Sequence, residues 1–193
     1  MENNLTEKDI EVLNKWAEKY NIEELKIKDK EKIFNLEELH ISNDNLTELP
    51  KEIEILTNLK ILDIECYKLK ELSKEIFNLI NLEELHITSH NLTELPKEIG
   101  ILTNLKSLHI RSNNLTKLPK KIGNLINLEK LRIISNNLET FPDGIEKLIN
   151  LENLYIDINI INENFNFKSL PIEEIGKLNN LKEFDISIRK EEK

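Results

Sequence analysis

Few side chains in this sequence are of the types that perform catalysis. The nearest pairing of a nucleophile with a base is Cys66 with His90, one sequence repeat apart. A cysteine nucleophile also needs a group that orients its base, together with hydrogen-bond donors for the oxyanion. The sequence offers no such set and no glycine-rich phosphate-binding loop. It therefore predicts a protein that is not an enzyme, with no catalytic residue and no cofactor.

Two histidines raise the question of a metal site. His86 and His109 are 23 residues apart, and Asp63 precedes His86 by the same distance. If each step of 23 residues moves the chain to the next strand, the two imidazoles and the carboxylate could share a zinc ion. Surface histidines are common, however, and nothing in the sequence orients these rings. We assign no metal and keep His86 and His109 as candidate partner-binding residues.

A 23-residue repeat must position these side chains. Residues 105–127 read LKSLHIRSNNLTKLPKKIGNLIN, and Leu128 begins the same pattern again. The opening LxxLxI alternates inward and outward as a short strand does, and LPKKIGNL has the spacing of a short helical return. Full repeats begin at Leu36, Leu59, Leu82, Leu105, Leu128 and Leu151. One repeat alone buries too little apolar surface to be stable, so the repeats are expected to stack.

This pattern resembles the leucine-rich repeat family, in its class with 23-residue repeats and LPxxIGxL returns. The resemblance implies an α/β fold, a horseshoe-shaped solenoid whose concave side is a parallel sheet of about eight strands. Short helical returns are expected on the convex side and a capping helix at the N-terminal end. The resemblance also implies that the chain binds other macromolecules. The abundance of Ile, Asn and Lys favours a bacterial source.

Position 9 of the repeat has a structural role in this family, because its asparagine bonds to backbone inside the coil. The resemblance assigns this role to three residues, Asn113, Asn136 and Asn159. The first three full repeats carry Asp44, Tyr67 and His90 at that position. Asp44 can still accept a backbone bond, whereas Tyr67 is expected to be too large for the slot and His90 to fit it poorly.

The chain divides into three parts. Residues 1–21 are expected to form the cap, with a helix over 5–20 that covers the first open edge. One stripe of this helix is apolar and comprises Ile10, Leu13, Trp16, Ala17 and Tyr20. Residues 22–188 form the solenoid, in which the first coil is short and the sixth carries seven extra residues around 162–169. Residues 189–193 form a polar tail.

The outward positions of the strands define a candidate binding face. Positions 3, 5 and 7 are expected to point outward, because positions 4 and 6 face the core. Residues 105–132 carry seven Lys or Arg and one Glu, a balance of +6 against −15 for the rest of the chain. This basic centre predicts a protein partner with an acidic segment. The candidate partner-binding residues are His86, His109, Arg111, Arg132, Ile134, Tyr155, Asp157, Ile158, Phe165 and Phe167.

An apolar patch toward the C-terminal third is the expected energetic centre of this face. It comprises Ile134, Tyr155 and Ile158, and most other repeats carry polar residues at the outward positions of the first two. Exposed apolar and aromatic side chains of this kind dominate many interfaces. Phe165 and Phe167 follow in the insertion, where two interpretations stay open. They cover part of a partner's surface, or they pack into their own coil.

Composition and charge bear on which ligands the protein binds and where it is located. The formal net charge of −9 disfavours nucleic-acid binding. No apolar run approaches the roughly 18 residues of a membrane span. No signal-peptide pattern opens the chain, which predicts a cytoplasmic protein, although a secreted protein with its signal removed would look the same. The single cysteine excludes an internal disulfide. Separately, we expect the protein to be a monomer.

Two functions remain open at this point. The first is a non-catalytic protein-binding module that uses the concave face. The second is a structural spacer or surface-coat repeat protein without a specific ligand on that face. An apolar or aromatic cluster among the outward residues favours the first.

Overall fold

The computed structural model describes residues 6–27, 29–141, 144–160 and 171–190, which coil into a solenoid. Its strands form one parallel sheet in which each strand is hydrogen-bonded to the next in sequence order. The predicted repeat architecture is therefore confirmed. The strands are β1 (Glu38–Ser42), β2 (Ile61–Glu65), β3 (Glu84–Ser89), β4 (Ser107–Ser112), β5 (Lys130–Ser135), β6 (Asn153–Ile160) and β7 (Glu183–Lys190).

The strand register follows the sequence repeat. Leu39 pairs with Leu62, and the same step of one repeat continues up to β6. Between β6 and β7 the step lengthens, because Asn153 pairs with Glu183 across the insertion. Equivalent positions therefore form straight rows across the sheet, with the inward Leu and Ile of every coil in one continuous core. Each such side chain contributes about 1.5–3 kcal/mol through burial.

Short helical returns close each coil on the side opposite the sheet. Most are single turns of 3₁₀-helix, which allows residues three apart to point the same way. The 3₁₀ returns are Lys51–Ile55, Lys74–Asn78, Lys97–Ile101, Lys120–Asn124 and Ile145–Lys147, and the α-helical ones are α2 (Lys30–Phe34) and α3 (Ile172–Ile175). Adjacent returns touch closely, since a Cβ on Gly123 would lie 2.6 Å from the carbonyl oxygen of Gly144. No helix within the described ranges has the length and apolarity to cross a membrane.

The N-terminal helix α1 (Glu7–Tyr20) covers the first coil. Thr6 and Asp9 form the reciprocal capping box that satisfies its first N–H groups. One stripe of the helix, containing Ile10, Leu13 and Ala17, is buried against the solenoid. The helix thus forms the cap that the amphipathic pattern predicts.

The first coil differs from the prediction. Residues 22–27, expected as the first of about eight strands, contain a 3₁₀ turn at Glu23–Leu25, and the described residues hold seven strands. Ile22 and Leu25 are still buried, because a spacing of three turns both side chains inward from a 3₁₀ turn. At the other end β7 continues to Lys190, so the predicted tail begins within a strand.

A ladder of buried serines occupies the slot assigned to asparagine. Ser89, Ser112 and Ser135 stand at position 8, and their hydroxyls donate to carbonyl oxygens of the preceding coil at 2.6, 2.6 and 2.7 Å. Strand alternation turns position 8 inward, so Asn113 and Asn136 at position 9 are half-exposed. The assignment of the ladder to these two asparagines is wrong. The side chain of Asn159 lies outside the described part.

A second ladder runs along the last position of the coils. An asparagine there donates to the backbone carbonyl of the residue before the equivalent asparagine, as Asn81 does to Thr57 at 2.8 Å. The same bond recurs in five other coils, at Asn58, Asn104, Asn127, Asn150 and Asn180. These bonds fix the spacing of successive coils and thereby hold the rows of the sheet in register.

Candidate functional site

The concave sheet face carries two rows of outward side chains. Their register confirms the rows read from the sequence, beginning with β1. Position 5 holds His40, Asp63, His86, His109, Arg132, Tyr155 and Asp185. Position 7 holds Ser42, Glu65, Thr88, Arg111, Ile134, Asp157 and Ser187.

Carboxylates in the N-terminal half of this face are engaged by neighbours. Asp63 lies 3.1 Å from the Nδ1 atom of His40. The hydroxyl of Tyr67 donates to Glu65 at 2.9 Å, and this bond is the main reason that the pKa of Tyr67 is raised. Tyr67 also stacks on His90, with ring centroids 4.6 Å apart. Tyr67 and His90 therefore lie outside the slot in which they were expected to fit poorly.

The two central histidines meet edge to face. The ring centroids of His86 and His109 are 5.9 Å apart, with 69° between the ring planes. The Nε2 atom of His86 lies 3.7 Å from a carboxylate oxygen of Glu84. Burial lowers the pKa of His109 to about 4, with further lowering from the Arg132 and His86 charges, so this imidazole is neutral at physiological pH. Within the described ranges, no three His, Cys, Asp or Glu side chains group so that they could hold a metal ion.

The basic residues of the centre divide into paired and unpaired groups. Lys106 pairs with Glu83 at 2.6 Å and Lys117 with Glu94 at 3.3 Å, away from the concave rows. Three other cations on the concave strands are exposed and have no carboxylate partner in the described part of the chain. They are Arg111, Lys130 and Arg132. Three cations of the segment thus lie together on the sheet face, and Lys120 and Lys121 lie on the return.

The apolar patch is smaller than predicted. Ile134 and Tyr155 are half-exposed on adjacent strands, and the guanidinium of Arg132 lies over the Tyr155 ring at 4.5 Å. Ile158, expected at the surface, is completely buried, because β6 continues through its position and alternation turns it inward. Phe165 and Phe167 lie outside the described residues.

Asp157 closes the C-terminal side of this patch. It is 8% exposed, and one carboxylate oxygen is in an ion pair with Arg189. The same oxygen lies 3.5 Å from the Tyr155 hydroxyl. The Asp157 carboxylate therefore contacts Arg189 and Tyr155 within the chain and is not a free surface charge. Sequence reasoning did not include Arg189 in the site; its position beside Asp157 depends on how the longer sixth coil is accommodated.

Cys66 and His90, the nearest pairing of a nucleophile with a base in the sequence, are not arranged for catalysis. Cys66 is completely buried, and burial raises the pKa of its thiol to about 11. Its Sγ atom lies 3.7 Å from the carbonyl oxygen of Ile41, in the slot that serine occupies in later coils. His90 is exposed and stacked on Tyr67. A thiol with a raised pKa is a poor source of the nucleophilic thiolate.

Comparison with known proteins agrees with this geometry. Residues 74–193, more than half of the chain, match the family described as leucine-rich repeat region. The chain belongs to the leucine-rich repeat family. No curated protein matches it in sequence.

Solved structures give the same fold. A leucine-rich repeat protein of Leptospira interrogans is 29% identical with a TM-score of 0.56, covering 81% of this chain and 50% of its own. The leucine-rich repeat ectodomain of the Arabidopsis thaliana receptor kinase GASSHO1/SCHENGEN3, in complex with CASPARIAN STRIP INTEGRITY FACTOR 2, is 26% identical with a TM-score of 0.64. That match covers 82% of this chain and 19% of the receptor chain.

A third structure extends the comparison at the level of the fold. Internalin C2 of Listeria monocytogenes is 19% identical with a TM-score of 0.50, over 84% of this chain and 76% of its own. This leucine-rich repeat chain thus spans half of the Leptospira protein and about a fifth of the plant receptor chain. The Leptospira protein is bacterial, in agreement with the source that composition favours.

Proposed function

We propose that this chain is a non-catalytic protein-binding module whose concave face receives an acidic segment of a partner. The observation that carries the proposal is the set of three exposed cations, Arg111, Lys130 and Arg132, without carboxylate partners among the described residues. Carboxylates toward both ends of the same face, such as Asp63 and Asp157, are engaged within the chain. The positive field of the centre is therefore free to act on a ligand.

The physical role of these cations is attraction and orientation. Exposed charges raise the rate of association with an oppositely charged partner more than they raise final affinity. Their effect falls with salt, because the screening length is about 8 Å at physiological ionic strength. An acidic segment would be drawn to β4 and β5, in the middle of the sheet.

Affinity is expected to come from the apolar side chains beside the cations. Ile134 lies between Arg111 and Asp157 in its row, and Tyr155 lies next to Arg132. The Arg132 guanidinium over the Tyr155 ring restricts that ring before a partner arrives. A restricted aromatic side chain loses little entropy on binding, which suits it to be an anchor.

The alternative is a structural spacer with no specific ligand on the concave face. A spacer has no need of an unpaired basic cluster beside an exposed isoleucine and tyrosine. The Arabidopsis ectodomain, which shares this repeat fold, is in complex with a ligand, and that supports the binding function. The chain of 193 residues matches only part of that receptor, so the ligand itself does not transfer.

Selection from a random peptide library displayed on phage tests the proposal. We expect the wild-type protein to enrich peptides rich in Asp and Glu with at least one apolar residue. Arg111→Glu/Arg132→Glu should lose this enrichment, whereas Lys97→Glu/Lys121→Glu, which makes the same charge change on the returns, should retain it. Equal enrichment by both variants, or no acidic bias with the wild type, would argue for the spacer.

A further inference from the structure

Four outward positions in the middle of the concave face form the corners of a rectangle. His109 pairs with Arg132, and Arg111 pairs with Ile134, in the register of β4 with β5. Parallel strands are about 4.8 Å apart and rise about 3.3 Å per residue, so the Cα atoms of Arg111 and Arg132 are about 8 Å apart on one diagonal. Both side chains leave the same face of the sheet, so both guanidinium groups can reach a ligand bound above the centre of this rectangle.

The positive charge on this diagonal is not neutralised within the described part of the chain. Neither arginine has a carboxylate partner there, although the chain has 36 Asp and Glu against 27 Lys and Arg. The acidic residues at the outward positions of β3 to β6 are Glu84 and Asp157. Glu84 lies 3.7 Å from a ring nitrogen of His86, and Asp157 is paired with Arg189. The two arginines are therefore left with uncompensated charge on a rigid sheet.

His109, at a third corner, is affected by this positive charge. Burial lowers the pKa of the imidazole to about 4, and the charges of Arg132, His86 and Arg111 lower it further. The ring is therefore neutral at physiological pH and adds no charge of its own. The charge of a ligand above the rectangle is balanced by the two arginines.

We propose that this rectangle binds the phosphate group of a phosphorylated serine or threonine in the partner. The inference rests on the proposed protein-binding function and gives the chemistry of the acidic group. A carboxylate has a single charge, and one guanidinium can occupy both of its oxygens with parallel hydrogen bonds. A phosphomonoester carries about −1.5 to −2 charges and three acceptor oxygens at pH 7. It can therefore accept hydrogen bonds from two guanidinium groups that approach from opposite corners.

The side chains around the rectangle favour a phosphate on a short side chain of a peptide. Ile134, the fourth corner, is half-exposed, and the guanidinium of Arg132 lies 4.5 Å from the centroid of the half-exposed Tyr155 ring. Phosphoserine and phosphothreonine hold the phosphate close to the peptide backbone, so a neighbouring apolar residue of the peptide can contact Ile134 and Tyr155. The longer phosphotyrosine would hold the backbone away from them. The net charge of −9 disfavours nucleic acids and anionic membranes as the source of the phosphate.

Fluorescent libraries of short random peptides with one fixed central residue test the inference. The central residue is phosphoserine, glutamate or serine, and fluorescence polarisation gives an apparent Kd for each library. We expect the wild-type protein to bind the phosphoserine library about tenfold more tightly than the glutamate library, a difference of about 1.4 kcal/mol. The serine library should bind most weakly.

Conservative variants show whether the two arginines provide this preference. Arg111→Lys/Arg132→Lys keeps both charges but removes both planar forks, so it should reduce the preference for phosphoserine over glutamate severalfold. Arg189→Lys is the matched control, because it makes the same exchange at an arginine that is already paired with Asp157. It should leave the preference unchanged, and circular dichroism should show that both variants are folded.

The outcomes separate this inference from the proposed function. Equal binding of the phosphoserine and glutamate libraries, both tighter than serine, would overturn the phosphate inference and leave the acidic-segment function intact. No binding of either library would overturn both. An unchanged preference in Arg111→Lys/Arg132→Lys would contradict the assignment to this rectangle. Free O-phosphoserine that binds as tightly as the peptides would overturn the assignment to a peptide and indicate a small phosphorylated ligand.

Discussion

Replacing a serine of the buried ladder with alanine should destabilise the protein more than replacing the asparagine that follows it. The hydroxyl of Ser89 donates to the Leu69 carbonyl at 2.6 Å and accepts from the backbone N–H of Asn91 at 3.1 Å. Ser89→Ala leaves the buried carbonyl without its donor, at a cost of about 1–3 kcal/mol. The lost bond to Asn91 adds about 0.5–1.5 kcal/mol. We expect the free energy of unfolding to fall by about 2–3 kcal/mol.

Urea unfolding at fixed pH measures this change. Ser107→Ala, at a half-exposed outward position of β4, is the matched control and should stay within about 0.5 kcal/mol of the wild type. Ser112→Ala and Asn113→Ala compare the two neighbouring positions in one coil. If Asn113→Ala costs more than Ser112→Ala, position 9 carries the ladder after all and the reasoning from strand alternation is refuted.

Three further predictions concern stability. Gly123→Ala should lower the free energy of unfolding by about 1–3 kcal/mol in urea titrations, because its Cβ would lie 2.6 Å from the Gly144 carbonyl oxygen; a neutral result would mean that the returns can separate. The pKa of His109 is lowered from 6.5 to about 4, so the unfolded state takes up this proton first and stability should fall as pH decreases between those values. Because the His109 ring is partly exposed to solvent, we expect the unfolding free energy to fall by about 1–2 kcal/mol over this pH range. His109→Gln should abolish this fall, which the pH dependence of the urea midpoint measures. Deleting residues 1–20 should expose the buried Ile22 and Leu25 and cause aggregation in light scattering; a dispersed, equally stable deletion variant would refute the capping role.

The repeat period made most of the fold predictable. One coil, residues 105–127, contains the alternation of the strand and the turn of the return, and stacking then places His86 beside His109 and Arg132 beside Tyr155. These neighbours are one repeat apart, so the sequence contains their relationship. The amphipathic stripe of α1 likewise identified the cap.

Other features depend on where strand alternation stops, and the period does not specify that. Ile158 was expected at a corner, but β6 extends to Ile160 and turns Ile158 into the core. Alternation likewise continues through position 8 in β4, so Ser112 faces inward there. The polar ladder therefore contains Ser112 and not Asn113. The sequence held a signal for this, because position 8 carries small Cys or Ser side chains in four coils. Ion pairs such as Lys106 with Glu83 join residues one repeat apart and share this signal. The pair of Arg189 with Asp157 does not, because it spans the longer sixth coil.

Hydroxyl-radical labelling of the protein with a selected acidic peptide tests the binding face most directly. This method reports solvent access of individual side chains by mass spectrometry. We expect the peptide to protect Ile134, Tyr155 and His86 on the concave face. The exposed isoleucines in the turns before β3 and β5, Ile80 and Ile126, should label equally with and without peptide. Protection of Ile80 and Ile126 with unchanged labelling of Ile134 and Tyr155 would contradict the proposed concave site.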